Sequence, residues 1–290
     1  MINNVAPKDC VALPPSLGDC LLDSRLISAT QNEKLYNVKL IDCNNYMQIY
    51  FFENKKKRSK IDDEKELFLK KLKCDEEKKC IDENPLKKIE LKNITRSKLK
   101  CQRLAKCNSD IWETFITLTI KENIKDINIA NKLYKQFKDC VRRVFPNFKC
   151  ICVPEFQKRG AVHYHLLTNI SVDNDKLIFK QKDNEKYLHI KYWNIGFTKV
   201  DNVKNDIKKI IGYISKYMTK DIDNRLFNHH RYFYTKNLRM PTVNYLDLDN
   251  QKHISFLKSL LNNKKMIYKN DYFNSYNNEK IAFEEFFINS

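Results

Sequence analysis

The sequence at residues 162–167 is VHYHLL, which places two histidines one residue apart within an apolar run. Alternate residues of a β-strand point to the same face of a sheet, so this pattern predicts a strand that presents His163 and His165 together. Tyr164 and Leu166 then point to the opposite face, where they can join a hydrophobic core. Because neutral imidazoles are common ligands of divalent metal ions, the pair is a candidate metal site.

The histidine strand is predicted to form a hairpin with the stretch before it, because a turn at residues 158–160 separates two apolar runs. Opposed residues of such a hairpin lie about 5 Å apart, so Glu155 can reach His163 across it. A carboxylate and two imidazoles suit Mg²⁺ or Mn²⁺, which polarise phosphates as Lewis acids. We therefore predict that Glu155, His163 and His165 bind one of these ions. The alternative is a pair of surface histidines. The other histidines, among them His189, are expected only to pack or to be exposed.

Two tyrosines lie one helical turn apart in the stretch YISKYMTK at residues 213–220. In a helix predicted over residues 202–222, they occupy one flank beside the apolar stripe, each followed three residues later by a lysine. A phenol with a pKa of about 10 is a poor nucleophile at neutral pH, but a polarised phosphate and a nearby ammonium group favour its attack. The predicted catalytic residues are Tyr213, Tyr217, Lys216 and Lys220. The alternative is that both rings only cover the edge of a helix–sheet core.

The chain is strongly basic, with 54 Lys and Arg against 36 Asp and Glu and a formal net charge of +18. This excess favours a polyanionic partner, most commonly nucleic acid. The side chains expected to contact phosphates are Arg96, Lys100, Arg103, Arg159 and Arg239. No apolar run is long enough to span a membrane and no signal-peptide pattern occurs, so we expect a cytoplasmic protein without a membrane partner. The spacings of its ten cysteines do not match a zinc site, and reduced thiols are expected.

Patterning divides the chain into three regions. Residues 1–90 are poorly patterned and basic, with a hairpin expected only within residues 38–52 and a charge-dense helix over residues 61–80. Residues 91–245 carry clear strand and helix patterns and are predicted to form one domain. Residues 246–290 are predicted to be a helical C-terminal tail. The order of elements predicts an α+β fold, with helices packed on an antiparallel sheet.

Three motifs of the chain resemble those of the HUH endonucleases, the replication initiators of rolling-circle phages, plasmids and circular single-stranded DNA viruses. Residues 115–119 resemble the first motif, and His163-Tyr164-His165 the histidine–hydrophobe–histidine motif. Residues 213–220 resemble the two-tyrosine form of the third motif, as in gene II-type proteins of filamentous phages. The resemblance implies a central sheet of about five antiparallel strands in an RRM-like sandwich, and a Mg²⁺ or Mn²⁺ site in which Glu155 occupies the place of the family's acidic ligand.

The resemblance also implies nicking of single-stranded origin DNA, with a 5′-phosphotyrosine and a free 3′-OH as products, followed by rejoining of strands. The sequence contains no phosphate-binding loop of a fused helicase, so a host helicase and polymerase are the expected partners. A transposase or a mobilisation relaxase would share this chemistry and recognise other DNA. A non-catalytic binder of single-stranded nucleic acid would keep its activity without the two phenols. A metal-binding structural protein would not nick DNA.

Overall fold

The computed structural model describes residues 35–58, 85–157, 159–181, 184–218, 229–274 and 278–288. Within these ranges the chain forms two antiparallel sheets and four helices. The predicted α+β class is thereby confirmed. The larger sheet has seven strands rather than about five, and a second sheet of five strands accompanies it.

The elements follow one another along the described chain with these bounds. The strands are β1 (Leu35–Cys43), β2 (Tyr46–Lys57), β3 (Thr114–Thr119), β4 (Cys150–Phe156), β5 (Val162–Thr168), β6 (Ile178–Gln181), β7 (Asn184–Ile190), β8 (Thr198–Asn202), β9 (Phe233–Tyr234), β10 (Thr242–Leu246), β11 (Lys265–Asn274) and β12 (Glu279–Phe287). The helices are α1 (Pro85–Cys107), α2 (Ile127–Val144), α3 (Ile207–Lys216) and α4 (Gln251–Leu261).

The seven-stranded sheet has the order β6-β7-β8-β3-β5-β4-β9, and its neighbouring strands are antiparallel. β3 is central, and its side chains contribute to hydrophobic cores on both faces of the sheet. Phe115 points to one face and Ile116 to the other, as alternation along a strand requires. His165 pairs with Thr117 of β3 and so shares the face of Phe115, which we call the site face.

Helix α2 covers the face opposite the site face. Its side chains Tyr134, Phe137 and Val141 recur at helical spacing and are buried in one core with Tyr164 of β5. Asp126 begins the helix by accepting hydrogen bonds from two backbone N–H groups of the first turn. The tyrosine between the two histidines therefore serves the core, and its burial anchors the orientation of the strand.

Helices α1 and α3 pack against the site face. Cys101 of α1 and Ile211 of α3 are buried in the same core as Phe115. The two helices are also joined by the side chain of Gln102, whose Nε2 donates a hydrogen bond of 2.8 Å to Ser215 Oγ. This packing holds α3 above the strands that carry the histidines.

The second sheet has the order β10-β1-β2-β12-β11, again with antiparallel neighbours. Its β1–β2 hairpin turns at Asn44 and Asn45, with Asn44 at a φ of 63°, which confirms the predicted hairpin. Leu257 and Leu260 of α4 pack on one face of this sheet. The sheet combines strands from before, within and after the predicted central domain, because β1 pairs with β10 and β2 with β12.

Helix α1 lies between the two sheets. Arg103 donates hydrogen bonds to Gln48 Oε1 at 2.9 Å and to Tyr50 Oη at 2.7 Å, both on β2. Lys106 forms an ion pair with Glu285 of β12. One face of α1 therefore packs on the seven-stranded sheet while its other side is tied to the five-stranded sheet.

Several predictions about element bounds are corrected by the structure. Residues 246–290 are not a helical tail, because α4 is followed by the β11–β12 hairpin. β12 also pairs with β2, a partner far away in sequence that local periodicity does not reveal. The helix predicted over residues 202–222 ends at Lys216, where Met218 N–H bonds to Ser215 O in a tighter turn. The helix predicted over residues 61–80 lies outside the described residues.

Candidate active site

The β4–β5 hairpin brings an acidic side chain opposite the first histidine. Glu155 pairs directly with His163, and Val153 pairs with His165. The turn contains Gly160 at a φ of 96°, a left-handed conformation that glycine adopts without steric cost. Since paired residues of neighbouring strands share a face, the carboxylate and both imidazoles lie on the site face.

The imidazole of His165 is held from two sides. Its Nε2 lies 2.7 Å from Glu155 Oε2, and its Nδ1 lies 3.4 Å from Thr117 Oγ1 on β3. The side chain is buried, with 4% of its surface exposed. A partner on Nδ1, such as Thr117, fixes the orientation of a histidine that ligates an ion through Nε2.

The three side chains suit a divalent cation in their chemistry. Neighbouring ligands of an octahedral ion lie about 3 Å apart, and the separation of His165 Nε2 and Glu155 Oε2 is 2.7 Å. The ring centroids of His163 and His165 are 6.2 Å apart. In the described ranges, no three His, Cys, Asp or Glu side chains already surround a common point. Two of the three predicted ligands, His165 and Glu155, are therefore in direct contact.

The phenol ring of Tyr217 lies directly on the imidazole of His165. The two rings are stacked at 16°, with centroids 3.7 Å apart. Tyr217 follows the last residue of α3 and forms its C-cap, so its ring descends toward the sheet. Tyr213, one turn earlier, lies edge-on to Tyr217 with centroids 4.9 Å apart and is 46% exposed. Both tyrosines thus lie on the site face, one against a histidine and the other open to solvent.

The surroundings of Tyr217 keep its phenol neutral. Burial raises the pKa of Tyr217 well above its ordinary value, and the hydrogen bond and charge of Tyr213 raise it further. The negative charges of Glu155 and Asp201 act in the same direction. The carboxylates beside the ring therefore oppose its ionisation, and a cation held among them would favour it.

The predicted lysines and arginines fall into different environments. Lys216 is exposed beside the tyrosines, and Lys220 lies outside the described residues. Arg96 and Lys100 are exposed on α1. Arg159 is exposed at the β4–β5 turn, where its Nη2 donates a hydrogen bond of 2.9 Å to Ile120 O.

Two of the predicted phosphate contacts are engaged within the protein instead. Arg103 is half-buried between α1 and β2, where it holds Gln48 and Tyr50. Arg239 is exposed and forms an ion pair with Asp110. Arg103 is therefore held between α1 and β2, whereas the other four predicted residues are exposed.

Four residues near the site were not predicted as site residues, although two of them, Phe115 and Thr117, lie in the first motif. Phe115 stacks near both His165 and Tyr217, at centroid distances of 5.8 and 6.3 Å. Lys199 and Asp201 of β8 lie opposite Thr117 and Phe115 of β3, respectively. The side chains of Lys199 and Asp201 form an ion pair of 2.7 Å. In β8, Lys199 and Asp201 alternate with Val200, and this alternation is the signal that could have placed these two charged residues on the site face.

Comparison with known families places this site in a recognised segment. Residues 113–222, less than half of the chain, match the family of replication-associated proteins that comprises ORF2 and gene II proteins. No curated protein and no solved structure matches the chain significantly. The described helices include none that is long and apolar enough to cross a membrane. The family match confirms the predicted resemblance to gene II-type replication proteins. The matched segment, residues 113–222, is the part of the chain that carries the histidine hairpin and both tyrosines.

Proposed function

We propose that the protein is a replication initiator that nicks single-stranded origin DNA through a tyrosine nucleophile. The observation that carries this proposal is the 3.7 Å stacking of Tyr217 on His165, which itself contacts Glu155. A phenol beside side chains that can ligate a metal ion is an arrangement that suits metal-assisted attack of a tyrosine on a phosphate. The family match supports a role in replication.

The proposed reaction exchanges one phosphate ester for another. The phenol oxygen bonds to the phosphorus, and the bond from phosphorus to O3′ breaks. The phenol gives up a proton and O3′ takes one up, so the products are a 5′-phosphotyrosine and a free 3′-OH. The reverse reaction, with a 3′-OH as the attacking group, rejoins strands.

Each side chain of the site has a distinct task in this proposal. A divalent cation bound by Glu155, His163 and His165 would supply Lewis-acid polarisation of the scissile phosphate. Thr117 and Phe115 hold the ring of His165 by a polar contact and by stacking, respectively. The exposed ammonium group of Lys216, beside the phenols, balances the charge of the phosphate.

The two tyrosines are suited to successive cleavages. Tyr217 is packed against His165 at the bottom of the site, whereas Tyr213 is exposed and touches it edge-on. One phenol can therefore retain a covalently bound strand while the other attacks a second phosphate. This arrangement suits an initiator that must cut once to start a round and once more to finish it.

Mass spectrometry of a denatured reaction mixture tests the proposal. The full chain is incubated with Mn²⁺ and a library of single-stranded oligonucleotides, and nucleotide adducts are sought on tyrosines. We expect adducts on Tyr217 or Tyr213 and none in the presence of a chelator. Tyr268, exposed on β11 of the other sheet, is the matched control for non-specific labelling.

The result also separates the alternatives. Tight binding without any adduct would leave a non-catalytic nucleic-acid-binding protein as the better description. An adduct that forms only with transposon ends or transfer origins would identify a transposase or a relaxase.

A further inference from the structure

We propose that a cavity of about 240 Å³ at the β6–β7–β8 side of the sheet binds one unpaired base of the DNA strand. Its walls include Phe179, His189, Tyr192 and Phe197, and we call it the His189 pocket. The inference rests on the proposed function, because the base belongs to the strand whose phosphate the tyrosines attack. It assigns a base-reading site that is separate from the residues of cleavage.

The pocket opens on the same face of the sheet as the histidines. Thr119 N–H donates to Phe197 O at 2.8 Å, and Thr119 also pairs with His163. Adjacent strands lie about 4.8 Å apart, so the backbones of Phe197 and His163 are separated by about 10 Å. His189, paired with Phe179, stacks edge-on to Phe197 at 5.2 Å. A strand with its phosphate at the tyrosines can therefore place a nearby base in the pocket.

The rim of the pocket offers aromatic surface to solvent. Phe179, Tyr192 and Phe197 are 40%, 40% and 46% exposed. Large exposed aromatic rings cost free energy in water, and they are the groups on which unpaired bases stack. The volume of the pocket lies just below the range of about 300 to 1,000 Å³ of drug-sized sites, which suits one planar base rather than a larger ligand.

The floor of the pocket carries a polar atom that a base can use. His189 is only 4% exposed, and its Nδ1 lies 3.2 Å from Thr198 Oγ1. Its buried Nε2 has no hydrogen-bond partner among the described residues. An unsatisfied buried polar atom is costly, by about 1 to 3 kcal/mol, and a base edge would satisfy it once the imidazole rotates and exposes Nε2 to the pocket. This atom distinguishes the pocket from a merely apolar patch.

The chain provides a path for the backbone of the strand between the two sites. A larger cavity of about 890 Å³ at the end of the sheet shares Phe197, Gly196 and Asn194 with the His189 pocket and is also lined by Lys121, Arg159 and, from α2, Ile129 and Leu133. Lys121 follows the end of β3, and Arg159 lies in the β4–β5 turn next to the start of the histidine strand. Phosphates that follow the cations would leave the base of one nucleotide free to enter the pocket.

Binding measurements on the full chain, with metal chelated so that no cleavage occurs, test the pocket. The probes are homopolymers of thymidine, deoxyadenosine and deoxycytidine, and a strand of abasic residues of equal length. Phe179→Ala and Phe197→Ala should each weaken binding of the base-carrying strands about tenfold and leave the abasic strand unaffected. His189→Ala should reduce the differences in affinity among the three homopolymers. Phe273→Ala, at a ring that is 68% exposed on β11, is the control and should change nothing.

The outcome is independent of the nicking chemistry. The pocket proposal is overturned if the phenylalanine variants bind every strand as tightly as the unmodified protein does. It is also overturned if their affinity for the abasic strand falls as much as their affinity for the base-carrying strands. If no tyrosine adduct ever forms but base-dependent loss is seen, the pocket stands and nicking fails. Thermal melting of each variant checks that the fold is retained, and both phenylalanines are exposed enough to be replaced without a core defect.

Discussion

The imidazole of His165 and the phenol ring of Tyr217 are stacked within 3.7 Å of each other, although one belongs to β5 and the other follows α3. Phe115 lies near both rings and extends the stack across β3. The hydroxyl group of Tyr217 cannot move far from the histidine without breaking this packing. The site is therefore arranged by an aromatic stack as well as by polar contacts.

Replacement of Tyr217 by Phe should remove most of the covalent attachment to DNA. The variant keeps the ring and its stacking on His165 but lacks the nucleophile, so we expect a fall of about a thousandfold or more with little change in stability. Tyr213→Phe should slow the first cleavage less and should remove the second. Gel separation of labelled strand from protein measures both. Equal, full activity of both single variants and of the double variant would contradict the tyrosine mechanism.

The ionisation of Tyr217 should respond to the carboxylates around it. Its pKa is raised in the fold, so the neutral phenol stabilises the native state fully below about pH 10 and less as pH rises through the folded value. Glu155→Gln removes a negative charge and should lower the pKa of Tyr217. The phenolate absorbance of each protein, minus that of its Tyr217→Phe counterpart, isolates this group. Glu122→Gln, at an exposed residue, is the control and should leave the titration unchanged.

Replacement of Thr117 by Val should weaken metal binding while preserving the sheet. The hydroxyl lies 3.4 Å from His165 Nδ1, and loss of such a supporting partner typically costs about 10- to 100-fold in metal affinity. Calorimetric titration with Mn²⁺ measures the effect. Thr242→Val, at an exposed position of β10, should not alter affinity. An unchanged affinity in Thr117→Val would show that the contact does not orient the histidine.

Two glycines near the site should respond oppositely to alanine. A Cβ at Gly196 would lie 1.9 Å from Thr119 O, so Gly196→Ala should lower the free energy of unfolding by about 1 to 3 kcal/mol. A Cβ at Gly212 meets nothing within 4 Å, so Gly212→Ala should raise the free energy of unfolding by about 0.5 to 1 kcal/mol through helix propensity. Urea denaturation measures both changes. A neutral effect at Gly196 would mean that the loop over the end of β3 can shift freely.

The basic residues should separate into two groups by the salt dependence of DNA binding. Arg159→Ala should reduce the slope of log affinity against log salt by about 0.7, because one phosphate contact is lost. Arg103→Ala should leave that slope unchanged and lower stability instead, since its guanidinium binds Gln48 and Tyr50. Fluorescence titration at several salt concentrations distinguishes the two effects. A reduced slope for Arg103→Ala would return that residue to the DNA-binding surface.

Local patterns predicted the parts of the fold that are formed by neighbours in sequence. The pairing of Glu155 with His163 follows from a short turn and strict alternation, and the hairpin at Asn44 from its flanking β-branched and aromatic residues. The helical spacing of the tyrosines likewise placed both on one flank of α3. These features need no information about distant parts of the chain.

The remaining features depend on contacts between distant residues. The second sheet joins β1 to β10 and β2 to β12, and no window of local sequence contains both partners. His189 gave no signal by itself, because its role depends on Phe179 and Phe197 from two other segments. The sequence predicted Arg103 to be a surface cation, because its partners Gln48 and Tyr50 lie on β2, about fifty residues earlier in the chain.

The position of α1 sets the smallest piece of the chain that should be expressed. A fragment that consists only of residues 113–222 would lack this helix. The apolar surface around Phe115 and Ile211 that the helix covers would then be exposed. Such a fragment should aggregate or lose the support of α3, even though it contains every candidate ligand and both phenols. Truncation studies should therefore retain residues 35–288, in which both sheets pack against α1.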